Sequence, residues 1–149
     1  MTNDKGETAS AGRARHTVPL RPSDFTATGH VSNLRFPELA EIGRMGWFGR
    51  LPWKQGSRVP YALIRVMHVD FLGTIRWEVT EVWVDIEVLR IGRTSFTLRT
   101  SVGVPGDETP RATVETVHVV TEADEATTLQ IDEEERAMLQ RYLTQEATA

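Results

Sequence analysis

The chain contains no cysteine. Disulfides, thiolate-bound zinc and cysteine nucleophiles are therefore excluded. Its four histidines (His16, His30, His68 and His118) are scattered without ligand spacing, so no metal site is expected. No apolar run approaches the ~20 residues that cross a bilayer, so no membrane association is expected. The first fifteen residues are small and polar, unlike a secretory signal, which makes the cytoplasm the expected compartment. Gly46 and Gly49 are not followed by the Lys-Ser/Thr of a phosphate-binding loop. The strong basic bias of nucleic-acid binders is also missing: the net charge is −4.

What remains fits one globular domain of 149 residues, 40% hydrophobic and 26% charged. Charge is uneven along it. Residues 122–149 carry eight acids and two arginines, whereas the body before them is nearly neutral. Arginines on a neutral body suit the phosphates of a small ligand.

Residues 1–15 are rich in Gly, Ser, Thr and Ala and read as a disordered tail, with the folded domain spanning 16–149. His16–Leu20 reads as a short strand and Pro22–Ser32 as a loop. Phe36, Leu39, Ala40, Gly43 and Trp47 recur on one helical face. Glu38, Glu41 and Arg44 fall on the other side. Small residues at 40, 43 and 46 let this helix lie close to a sheet. Pro37 restricts it to a start nearby, with Ser32 or Asn33 as cap.

Four strand-like segments follow, Tyr61–Phe71, Arg76–Leu89, Ser95–Val104 and Arg111–Val120. Turns at Ile91–Arg93 and Pro105–Asp107 join the later ones as hairpins. Asp132 caps a short terminal helix with Met138, Leu139 and Tyr142 as its apolar stripe. One helix set in an antiparallel sheet is an α+β arrangement. Long strands curling around a helix would make a hotdog fold.

The chemistry concentrates between Arg21 and Glu41. Gly29-His30 stands just before the helix start, with Asp24 upstream and Glu41 on the helix. Free N–H groups at a helix start hold a developing oxyanion, and an imidazole or carboxylate activates water. Each residue also has a plainer reading. Asn33 either caps the helix or presents its backbone N–H to a ligand. His30 is either a base or a loop-packing histidine, and Asp24 either a base or an acceptor for nearby N–H groups. Glu41 either reaches a partner's site or pairs with Arg35 or Arg44. Thr26 is able to hold a water but not to act alone as a base. His68, Asp70 and His118 read as structural polar residues.

The segment Arg21-Pro-Ser-Asp-Phe-Thr-Ala-Thr-Gly-His-Val-Ser-Asn33, then Phe36 and Glu41-Ile-Gly-Arg44, resembles the signature of hotdog-fold acyl-CoA thioesterases of the 4-hydroxybenzoyl-CoA thioesterase-like family. Val69–Leu72, Arg90–Ser95 and Ile131–Glu134 are similar to its later landmarks, so the likeness spans about residues 16–143. It implies a hotdog domain that pairs into a homodimer or homotetramer, with the acyl site between copies. It implies thioester hydrolysis on acyl-CoA or an acyl carrier protein, without a cofactor beyond the CoA of the substrate. Asp24, Thr26, His30, Asn33 and Glu41 would form the catalytic set, Asn33 through its N–H. Arg90, Arg93 and Ser95 would meet the CoA, and Trp47 and Trp53 would flank a loop lining an acyl tunnel. The family's usual catalytic acid aligns with Thr26, which implies an unusual way of activating water. Two other roles on this fold are a non-catalytic acyl-CoA binder and an enoyl-CoA hydratase or dehydratase.

Overall fold

The computed structural model describes residues 14–144. Five strands and two helices run in the order β1 (Ala14–Pro19), α1 (Arg35–Arg50), β2 (Leu63–Phe71), β3 (Glu81–Ile91), β4 (Ser95–Gly103), β5 (Ala112–Val119) and α2 (Glu133–Gln140). Short 3-10 turns occupy Pro22–Asp24 and Val59–Tyr61. The strands form one antiparallel sheet in the order β1-β3-β4-β5-β2, and α1 packs on it against β1, β3, β4 and β5. This is the hotdog fold.

The period-two pattern of β3 explains the core. Val82, Val84, Ile86 and Val88 share the helix-facing side and are inaccessible to solvent. Leu98 and Val102 from β4, Ala112 and Val114 from β5, and Phe36, Leu39, Ala40 and Trp47 from α1 complete it. Each large apolar side chain so buried contributes about 1.5–3 kcal/mol. The expected close approach of helix to sheet occurs at Gly43, where any β-carbon would lie 2.4 Å from Val84 Cγ1. The opposite side of the sheet is polar. Arg15 lies over Trp83 and bonds Asp85 through Nε at 2.6 Å.

Several boundaries differ from those expected. The first strand begins at Ala14, so Ala14 and Arg15 belong to the sheet rather than to a tail; residues 1–13 lie outside the described residues. Pro60 sits in a 3-10 turn, and β2 starts only at Leu63. Residues 76–80 are not strand, because their backbone is taken by the loop before α1: His30 bridges Arg76, and the Trp77 N–H donates to Gly29 O at 3.0 Å. The link after β2 joins two strands that do not pair. It carries the chain across the sheet, since β2 pairs with β5 and β3 with β1 and β4.

Helix α1 starts at Arg35 with no side-chain cap. The Ser32 hydroxyl instead accepts the Leu34 N–H at 3.3 Å, and Asn33 caps nothing. At the other end of the chain Asp132 caps α2 as expected, accepting the Glu135 N–H at 2.8 Å, while Glu135 returns a bond to the Asp132 N–H. The Glu135 carboxylate also accepts the Ser57 hydroxyl at 2.5 Å, and Lys54 contacts Asp132. The loop following α1 is thereby strapped to α2.

Strand β2 is an edge, with Ile64, Val66, Met67 and Phe71 exposed; Leu34 just before α1, and Ile42 and Met45 on it, are exposed as well.

Candidate functional site

The residues ahead of α1 fold into a miniature hairpin. Phe25 bridges Val31, the Thr26 N–H donates to His30 O at 2.8 Å, and the Gly29 N–H returns to Thr26 O at 3.0 Å. Gly29 closes the turn at φ +81°, a conformation that costs a residue with a β-carbon about 1–2 kcal/mol. Val31 anchors the hairpin by donating its N–H to Ile75 O at 2.8 Å.

This turn gathers alternate side chains. Thr26 Oγ1 lies 2.9 Å from Thr28 Oγ1, which lies 3.5 Å from His30 Nδ1. Two exposed hydroxyls thus lead from solvent to a half-buried imidazole. Three residues on, Asn33 is exposed and its N–H has no partner among the described residues. The arrangement offers an N–H to a developing oxyanion beside the positive end of a 16-residue helix.

Asp24 does not join this row. It is inaccessible to solvent, with Oδ2 taking the Arg21 N–H at 2.7 Å and Oδ1 taking Arg21 Nη2 at 3.1 Å. Arg35 Nε lies 3.9 Å away, and the Ser32 N–H donates to Asp24 O at 2.9 Å. Its carboxylate therefore holds the 3-10 turn and the lead into α1, and meets no water. Arg21 and Arg35 also clamp Glu38, whose pKa their hydrogen bonds lower.

Glu41 and Arg44 lie further along α1 and line a cavity of about 760 Å³. Arg44 was expected on the solvent face but is buried; it shares the core-facing side with Ala40 and Trp47. Its Nη2 lies 3.8 Å from Glu41 Oε1, and Nη1 has no hydrogen-bond partner among the described residues. His118 reaches the same cavity from β5. It stacks on Phe96 with centroids 4.8 Å apart and its Nε2 lies 2.8 Å from Thr116 Oγ1. Burial, with the nearby Arg44 charge, pushes its pKa down to about 3, so the ring is neutral at physiological pH.

Arg90 and Arg93 are exposed, and Ser95 is half-buried, at the β3–β4 hairpin. That hairpin lies at the far end of β3 from the His30 loop, about 34 Å along the strand. One copy of the chain does not bring these three residues to His30. Trp47 is fully buried in the core against Phe48 and Tyr142, and does not line a tunnel. Trp53 is half-buried and donates its Nε1–H to Phe48 O at 3.1 Å. His68 contacts Asp70 at 3.3 Å on exposed β2.

Sequence reading missed Thr28, Arg44 and the cavity wall at His118. The Thr-x-Thr-x-His alternation, and the spacing of Arg44 from Ala40 and Trp47, are the signals that carry the first two. Among the described residues no group of three His, Asp or Glu side chains is placed to hold a metal, and no helix is long and apolar enough to cross a membrane.

No family model and no curated protein matches the sequence. Solved structures do match its shape. A predicted thioesterase from Bacillus stearothermophilus superposes with a TM-score of 0.75 at 24% identity, covering 89% of this chain and 98% of its own. A thioesterase from Thermus thermophilus, solved with coenzyme A and Zn, gives 0.71 at 26% identity over 86% and 92%. A 4-hydroxybenzoyl CoA thioesterase variant, solved with 4-hydroxybenzoyl CoA, gives 0.70 at 16% identity over 87% and 99%. The chain shares the fold of these hotdog thioesterases.

Proposed function

We propose that the protein hydrolyses the thioester of an acyl-CoA, or of an acyl carrier protein, at a site completed by a second copy. The observation that carries this reading is the row Thr26–Thr28–His30 beside the unpartnered Asn33 N–H. Similarity to thioesterases, one of them solved with coenzyme A, supports it.

The chemistry runs as follows. A water bound at Thr26 attacks the thioester carbon. Its proton passes through the Thr26 and Thr28 hydroxyls to His30 Nδ1, and the carbonyl electrons move onto oxygen. The Asn33 N–H holds that oxyanion. When the carbonyl re-forms, the carbon–sulfur bond breaks and the imidazolium returns its proton to the leaving thiolate. The hydroxyl row stands in for the acid replaced by Thr26, while Asp24 fixes the turn.

Exposed apolar residues on the β2 edge and on α1 favour a two-fold pairing of β2 with β2. Such antiparallel pairing sets the Phe71 end of one strand beside the Leu63 end of the other. Arg90, Arg93 and Ser95 of the second copy then share an end of the joined sheet with the His30 loop, where CoA phosphates need donors. Dimer or tetramer mass in sedimentation is expected; a monomer overturns the shared site.

Thiol release from a chain-length series of acyl-CoAs tests the function. His30→Ala should lower kcat by about 10²–10⁴. The second reading is a non-catalytic acyl-CoA binder, favoured by Thr26 in the acid's place and by the sealed Asp24. Tight binding without thiol release selects it. Hydration of enoyl-CoA overturns both.

A further inference from the structure

We propose that the cavity beside Arg44 is a carboxylate-binding pocket, and that the thioesters this protein prefers carry a carboxylate at the far end of the acyl group. The preference for such substrates rests on the thioesterase reading above; the pocket itself does not.

Arg44 is only 5% exposed. A guanidinium offers five N–H donors in a planar fork that matches a carboxylate. Here Nη1 meets no acceptor among the described residues, and the nearest carboxylate, Glu41, is 3.8 Å from Nη2 and more than half exposed. A buried cation without a close counter-ion is unfavourable until an anion reaches it. No hydrophobic gain in the core explains it, because Leu or Met at this place on α1 would pack without that penalty.

The surroundings suit an anion with an apolar body. Phe48, Met45, Leu63 and Ile64 supply greasy walls, while the exposed Glu125 brings a second acid beside Glu41. His118 brings no charge at physiological pH, and the low dielectric strengthens Arg44's hold on a carboxylate. Arg58 is engaged elsewhere, its Nε donating to Thr121 O at 3.2 Å and its guanidinium lying over Tyr61. The volume of about 760 Å³ lies within the range of small-molecule sites. Glu41 acts as a weak counter-charge that an incoming carboxylate displaces.

Two measurements test this. The first needs no catalysis: calorimetric titration with hexanoate, and with hexanol as the uncharged control. Hexanoate should bind and hexanol bind at least about tenfold more weakly. Arg44→Met should abolish that difference, Arg44→Lys should retain part of it, and Glu41→Gln should tighten hexanoate. Removing an unpaired buried charge should leave the fold intact, and a thermal melt of Arg44→Met checks that. Equal binding of acid and alcohol to the native chain, or an undiminished preference in folded Arg44→Met, overturns the pocket.

The second compares carboxyacyl-CoAs with methyl-ended acyl-CoAs of equal length. A KM at least about tenfold lower for the carboxyacyl series, lost in Arg44→Met, supports the substrate class. Hydrolysis of neutral substrates without that preference overturns this inference and leaves the thioesterase standing. Hexanoate binding without any thiol release does the reverse.

Discussion

Gly43 faces Val84 with no room between them: a β-carbon on the glycine would lie 2.4 Å from Cγ1 and 2.7 Å from Cβ of the valine. Val84 is fully buried and β-branched, so it has no alternative rotamer into which to yield. Gly43→Ala gains about 1 kcal/mol of helix propensity but must push α1 off the sheet. Overpacking of this kind costs about 1–3 kcal/mol, so a net loss of stability is expected in urea titration. A stabilised variant would show that the helix shifts freely.

Asp24 and His30 should separate in mutagenesis. Asp24→Asn weakens a buried, charge-assisted contact with Arg21 and should cost about 1–3 kcal/mol of stability. The correctly folded fraction should keep kcat within a few-fold of the native value. A kcat loss of about 10² or more in protein of native stability would restore Asp24 to the chemistry.

The hydroxyl row makes its own prediction. Thr28→Val keeps the shape of the turn but cuts the link between Thr26 and His30. A fall in kcat of about 10–100-fold with unchanged KM is expected. Thr26→Asp puts a carboxylate at the head of the row and should preserve or raise thiol release. A large loss there would mean that the water position is built around the hydroxyl.

His118 sets a pH window for stability. Its pKa falls from 6.5 to about 3 on folding, so between those values the unfolded chain binds a proton that the folded chain refuses. Stability therefore rises with pH from about 3 to about 6.5 and levels off above, a change on the order of 3–5 kcal/mol. Asp124, held near 2 by bonds from Thr127 and Ala126, contributes stability that is lost only as pH falls below about 4. His118 acts across the stretch from about 4.5 to 6.5, and His118→Gln should make the rise there less steep in denaturant titrations.

Much of the fold was legible because its signals are local. The alternation of Val82, Val84, Ile86 and Val88 marks one buried face whatever lies next to it. Asp132 and Glu135 form a capping box within four residues. What stayed hidden depends on contacts distant in sequence. Residues 76–80 alternate well enough for a strand, yet the Gly29 carbonyl and His30 claim their backbone. The crossing from β2 to β3 was equally invisible, because strand pairing is decided by the whole sheet. In the site, His30 and Asn33 stand in the short loop that local signals place before α1, but the burial of Asp24 depends on Arg21 and a 3-10 turn. Arg44 has the charge of a surface residue but the spacing of a core one, in step with Ala40 and Trp47, and the spacing decides its place.

The strap between Ser57 and Glu135 joins residues 78 apart. A nascent chain leaves the ribosome from its N-terminus, so all five strands are available before α2 emerges. The seam behind α1 is then the last part of the molecule to be sewn, and the first that a C-terminal truncation would open.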